Sequence, residues 1–298
     1  MKYLKKDSAF YAFSPDLPPA LKIEAGEAVV METNDCIGGQ IKSEADSMAN
    51  VDLNRINPVS GPVYIEGAER GDTLAVDIHE INVKDRGIML AIPGSGTLGD
   101  LITVAKTRII PIRQGRVEFN EKVSLPLKPM IGVIGTAPEN GAVPAGVPGE
   151  HGGNMDCKII AAGSRVYLPV NCPGALLGMG DLHGVMGDGE AVTTALEVAG
   201  EVTFSVNIIK GRPFPLPFVE TDHRVAAIYS ALTSDEAVRG AVRHMAKYLT
   251  DYLGLGINEV GMLMSIAGNL TFCQVVNPLQ TVRMEFPREI LRSYGKPE

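Results

Sequence analysis

Between residues 178 and 190 the sequence GMGDLHGVMGDGE places Asp181, His183, Asp188 and Glu190 within ten residues. In extended backbone, residues two apart point to the same side, so Asp181 with His183, and Asp188 with Glu190, can each converge on one point. A carboxylate oxygen and an imidazole nitrogen aimed at one point suit Zn²⁺ or a similar divalent ion. The same residues also read as a polar, glycine-rich turn carrying solvated acids, and spacing alone leaves both readings open.

Two further clusters carry residue types of the same kind. EHGGNMD, residues 150–156, sets His151 and Asp156 around Gly152 and Gly153 with Asn154 beside them. Glycines let backbone N–H groups approach a ligand closely, and with Asn154 they could brace the oxyanion formed when a carbonyl is attacked. A tight turn with Asn154 in a left-handed conformation is the other reading. TNDCIGGQ, residues 33–40, follows a strand-like run and puts Asp35 at a strand end, as a ligand or as part of an Asn34–Asp35 turn. His79 and His244 are expected on solvated faces, and His223 at most on a rim. Gly94, Gly96 and Gly99 match a dinucleotide fingerprint in spacing, but a β-branched run ending at Pro111 follows them in place of the helix that would receive a pyrophosphate.

The elements that must position these groups are mostly strands. In TLAVDIHEINV, Leu74, Val76 and Ile78 face one way and Asp77 and His79 the other, the alternation of a half-buried strand. Similar runs occur at residues 28–31, 108–112, 166–170, 202–208 and 281–286. Helical spacing comes late, from the cap candidate Ser234 through Val238, Met245 and Leu253 to Gly254, and again from Asn258 to Gly268. Strands first and a helical pair last predict an α+β chain, predominantly β, built on an antiparallel sandwich. No repeat or free linker divides residues 1–298, so one compact domain is expected.

Charge and cysteine use exclude several classes. With 35 acidic against 27 basic residues the net charge is −8, so neither nucleic acid nor an anionic membrane is an expected partner. Asp7, Ser8 and Pro15 interrupt the apolar stretch a secretory signal needs. Cys36, Cys157, Cys172 and Cys273 show no chelating spacing, which fits reduced thiols in a cytoplasmic protein.

TNDCIGGQ, NPVSGPVYIEGAERGDTLAVDI, HGGNMD and GALLGMGDLHGVMGDGE, in that order along the chain, resemble the acetamidase/formamidase family. The resemblance implies hydrolysis of a short aliphatic amide to carboxylate and ammonia. It further implies a cytoplasmic homo-oligomer, dimer or higher, and a jelly-roll-like β-sandwich joined to a smaller α+β part with the C-terminal helices. It implies a divalent metal cofactor, Zn²⁺ or alternatively Ca²⁺. Carried onto this sequence, the metal ligands are Asp35, His151, Asp156, Asp181 and His183. From the residues themselves Glu190 is expected as the proton carrier, Asn154 as an oxyanion donor, and Asn34, Gly152, Gly153 and Asn154 as the substrate contacts. Two competing readings are a thiolate amidase using Cys36 or Cys157, and a non-catalytic sandwich that binds a structural ion and a small ligand.

Overall fold

The computed structural model describes residues 1–211 and 215–295. Among these, two large sheets pack face to face, and three helices follow late in the chain. The expectation of an α+β chain dominated by strands holds.

The first sheet has nine strands. Its centre is Thr73–Val83, flanked antiparallel by Gly200–Ile209 and Arg165–Pro169. Alternation decides its two faces. Leu74, Val76 and Ile78 enter the core between the sheets, while Ala75 packs on the opposite face beneath a helix. Asp77, which shares Ala75's face, pairs with Arg165 at 2.6 Å. The far half of this sheet is built by Phe218–Glu220, Arg224–Ala231, Gln280–Pro287 and the edge strand Asn269–Gln274.

The second sheet runs through Lys106–Arg113, Arg86–Ala91, Glu197–Val198, Leu177–His183, Met130–Gly135 and Gly152–Asn154, with Val59–Ile65 also against Leu177–His183. Pairing is antiparallel except at two short outer strands, Lys2–Leu4 and Leu21–Ile23, which pair in parallel. Ile131, Ile134, Met179 and Leu182 from this sheet meet Val76, Leu168, Val202 and Phe204 from the first in one buried cluster.

Helix α1, Ser234–Leu253, lays Ala237, Ala241, Met245, Leu249 and Leu253 onto the outer face of the first sheet. Its N-cap is Thr233 and not Ser234: the Thr233 side chain accepts from the Glu236 N–H, while the Ser234 hydroxyl donates to Gln280 at 2.5 Å. Gly254 closes the helix in the left-handed conformation at φ 72°. Helix α2, Ile257–Ala267, begins after Gly256, so Asn258 lies inside it. His244 is not on a solvated face either, since its ring meets Tyr229 edge-on with centroids 5.0 Å apart. No helix among the described residues is long and apolar enough to cross a membrane.

Candidate active site

Asp181 and His183 do not sit in a loop. They end the strand Leu177–His183, whose seven residues are all buried between Met130–Gly135 on one side and Val59–Ile65 and Glu197–Val198 on the other. Gly178 and Gly180 are strand glycines: a Cβ on Gly180 would stand 2.4 Å from the Pro58 carbonyl and one on Gly178 2.6 Å from the Phe10 ring. They allow neighbouring backbone and rings to close in and do not make a turn.

The register of this strand assembles the site. Glu197 is paired opposite His183, and His183 Nε2 lies 3.2 Å from Glu197 Oε1, 3.6 Å from Asp181 Oδ1 and 3.8 Å from Asp156 Oδ1. Gly132, across from Asp181, leaves room for the carboxylates, because a Cβ there would fall 2.5 Å from Asp156 Oδ1 and 2.8 Å from Asp181 Oδ2. Asn154, with its amide assigned so that nitrogen faces the acids, donates to Asp181 Oδ2 and Asp156 Oδ1 at 3.0 Å each. Glu190 Oε1 accepts from the Ala195 N–H at 2.8 Å. Its neighbour Asp188 is not directed into this site; it is held by Arg283 at 2.6 Å and Lys158 at 2.5 Å.

These groups line a cavity of 180 Å³. Cys36, Asn57, Thr193, Thr194 and Asn277 complete the polar part, and Ile37, Met48, Ile56, Leu90, Ile92 and Val276 form an apolar wall. The backbone at the site is strained: of seven non-glycine residues with positive φ among the described residues, Asn57, Asp156, Asp181 and Glu190 line this cavity. A non-glycine residue held left-handed costs on the order of 1–3 kcal/mol and persists only where its surroundings fix it, as at functional sites.

Burial and mutual repulsion dominate the electrostatics. Burial raises Glu190 to about 10, with the Asp156 charge adding to it. Burial likewise raises Glu197 to about 8 and Asp156 to about 6, the latter helped by Asp181. His183 would be lowered by burial, yet Glu197 and Asp181 raise it well above the ordinary imidazole value. Asp181 shifts the other way: burial would raise it, but His183 holds it below the usual carboxylate range.

The residues present fit a divalent cation. Asp181 Oδ1, Glu190 Oε2 and Glu197 Oε2 are buried without a hydrogen-bond partner, and a buried unpaired oxygen is costly unless something meets it. Ligand atoms of Asp156, Asp181 and His183 lie within 4.8 Å of one another, as do those of His183, Glu190 and Glu197. A mixed imidazole and carboxylate set suits Zn²⁺ better than Ca²⁺, which prefers oxygen alone.

Other expected residues fall outside this assembly. Asp35 Oδ1 accepts from the Ile37 and Gly39 N–H groups at 3.0 Å each, the turn-forming role of an Asx residue. Asn34, Gly152 and Gly153 do not line the cavity. Gly152 instead donates its N–H to the Gly149 carbonyl at 3.1 Å. His151 packs edge-on against Phe13 and lines a separate cleft with Arg70 and Glu150; burial lowers it to about 4. Cys36 lines the cavity, but burial and the Glu197 and Asp181 charges push its thiol well up, which opposes thiolate chemistry. Cys157 is buried elsewhere, beside Cys273.

Glu197, Asn57 and Asn277 escaped the sequence reading. Glu197 had a signal, a single acid within the apolar run ALEVAG. The two asparagines had none, since each is brought in by tertiary contacts.

A family model described as "Acetamidase/Formamidase family" matches residues 3–146 and 139–217. A Schizosaccharomyces pombe protein with a provisional formamidase name is 32% identical over 66% of this chain and 63% of its own length. The formamidase of Methylophilus methylotrophus is 28% identical over 75% of this chain and 72% of its own. The chain therefore spans under two thirds of the first of these relatives. The crystal structure of an acetamidase from Bacillus halodurans superposes with a TM-score of 0.97 at 43% identity, covering 99% of this chain and all of that one.

Proposed function

The chain belongs to the acetamidase/formamidase family, and from that premise we propose that it hydrolyses a short aliphatic amide to carboxylate and ammonia at the buried acid–imidazole cavity, with a divalent metal ion bound. The observation that supports this reading is the group of unpartnered carboxylate oxygens around His183 inside 180 Å³.

Asp156, Asp181, His183 and Glu197 would hold the ion. Bound there, Zn²⁺ would supply Lewis acidity, polarising a carbonyl and making water more acidic. The remaining work belongs to the chain itself. Glu190 is tethered through Oε1 to the Ala195 N–H, and burial and the Asp156 charge raise its proton affinity. Its Oε2 can take the proton of the attacking water and return it to the departing nitrogen, without which an amide leaves poorly. Asn154 and Asn277 hold the carboxylates in place through their amide N–H groups. The apolar wall excludes water and favours a small alkyl group over a long or charged one.

Metal analysis of the purified protein and an ammonia-release assay over formamide, acetamide and longer amides test the two parts separately. Turnover of a short amide, loss on exhaustive chelation and recovery with Zn²⁺ are expected. Full activity after chelation overturns the metal role. Absence of ammonia from every amide overturns the reaction and leaves an ion-binding, non-catalytic protein.

A further inference from the structure

Gln274 ends the edge strand Asn269–Gln274, just after a register shift between Phe272 and Gln274. Such a bulge re-aims side chains, and here Cys273 and Gln274 both turn inward, each 0% exposed. The Gln274 amide is fully used. Its Nε2 donates to the Leu279 carbonyl at 2.7 Å and the Thr281 hydroxyl at 2.9 Å, and its Oε1 accepts from the Val276 and Asn277 N–H groups at 2.9 Å each. One buried side chain thus closes the loop between Gln274 and Thr281.

That loop reaches the cavity. Val276 and Asn277 line it, and Asn277 Nδ2 donates to Asp156 Oδ2 at 2.6 Å and to the Asn154 carbonyl at 3.0 Å. The same strand end holds the opposite wall, because the Gly189 N–H, next to Glu190, donates to the Cys273 carbonyl at 3.0 Å. Gln274 and Asn277 lie beyond residue 217, where the family-model match stops.

We propose that Gln274 is a positioning residue for the amide-hydrolysis site, acting through Asn277 to fix the orientation of Asp156. This deepens the reading above and rests on it. Glutamine offers two donors and two acceptors at one fixed span, and all are engaged here. Methionine fills similar volume with none of them. Without the amide the Val276 and Asn277 N–H groups lose their acceptor, the loop relaxes, and Asp156 loses the donor that selects which of its oxygens faces His183.

The test compares the parent, Gln274→Met, Asn277→Ala and the double variant. Outer partners of a site carboxylate are worth about 10- to 100-fold in activity, so each single variant should lose that much in kcat/KM for acetamide, mostly in kcat. Because both changes cut one chain of contacts, the double variant should be no worse than Asn277→Ala alone. Losses that multiply overturn the proposal, as does full activity in Asn277→Ala, which reads even where Gln274→Met does not fold. A crystal structure of Gln274→Met should find Asn277 Nδ2 out of hydrogen-bond reach of Asp156; contact retained there overturns it as well. That structure decides the positioning role even if the parent releases no ammonia, the result that would instead sink the amide reading.

Discussion

At the scale of single residues, the site depends on what is missing as much as on what is present. Gly132 has no Cβ, and the two carboxylates of Asp156 and Asp181 occupy the space one would fill. Gly132→Ala should therefore displace an acid while leaving the hydrophobic core untouched. Overpacking of this kind costs about 1–3 kcal/mol, and a barrier raised by that amount slows hydrolysis by about 5- to 150-fold. Ammonia release beside a thermal melt separates the two effects; unchanged turnover would mean that the carboxylates need not converge. His151 makes a different prediction. It folds neutral, lowered from 6.5 to about 4 by burial, so between those values the unfolded chain binds a proton the folded chain refuses. Stability must then rise with pH across that window, and the parent should lose about 3 kcal/mol from this group as pH falls from 6.5 to 4. Stability against pH for His151→Gln should be flatter over the same range; parallel curves would contradict it. The acids and imidazoles were legible in the sequence by type, yet only Asp156, Asp181, His183, Glu190 and Asn154 meet in one cavity. Asp35 and His151 were indistinguishable from them because nothing in spacing says whether a polar group completes a turn, enters a core or faces a ligand.

At the scale of elements, periodicity proved informative where one face is buried and misleading where both are. Thr73–Val83 alternates because its outer face is partly solvated at Asp77 and His79 while Ile78 and Ile81 stay buried, and helix α1 declares itself through Ala237, Ala241, Met245 and Leu249. Leu177–His183 is covered on both faces, so it has no polar alternation to show, and its glycines imitate a turn. Charged residues in such a strand are the exception that marks the site. Cap identity was off by one at α1, since a run of Thr233, Ser234 and Asp235 offers three plausible caps and only tertiary contact with Gln280 draws Ser234 into the helix. Thr233→Ala should cost about 1 kcal/mol of stability, read as a lowered urea midpoint with unchanged slope. Amide turnover should stay at the parent level, because α1 packs on the face of the first sheet away from the sandwich core. A midpoint unchanged within error would mean that Ser234 or Asp235 takes over the cap.

At the scale of the whole molecule, the question is whether the helices and late strands form a unit of their own. The two large apolar clusters argue against it. The core between the sheets includes Ala226, Ile228 and Cys273 from the last third of the chain. The cluster beneath α1 in turn includes Ala75 and Tyr167 from earlier strands. Neighbouring residues on Thr73–Val83 and Arg165–Pro169 point into opposite clusters, so melting one exposes the backing of the other. The site repeats this arrangement, with Asp156 and His183 from the middle of the chain held against Asn277 from the end. Urea unfolding followed by far-UV circular dichroism, and by hydrogen exchange of peptides from residues 73–83 and 234–253, should give one midpoint for all probes. An early transition confined to residues 234–253 would show that the α1 layer can leave the sandwich standing, and with it the sheet that anchors Gln274.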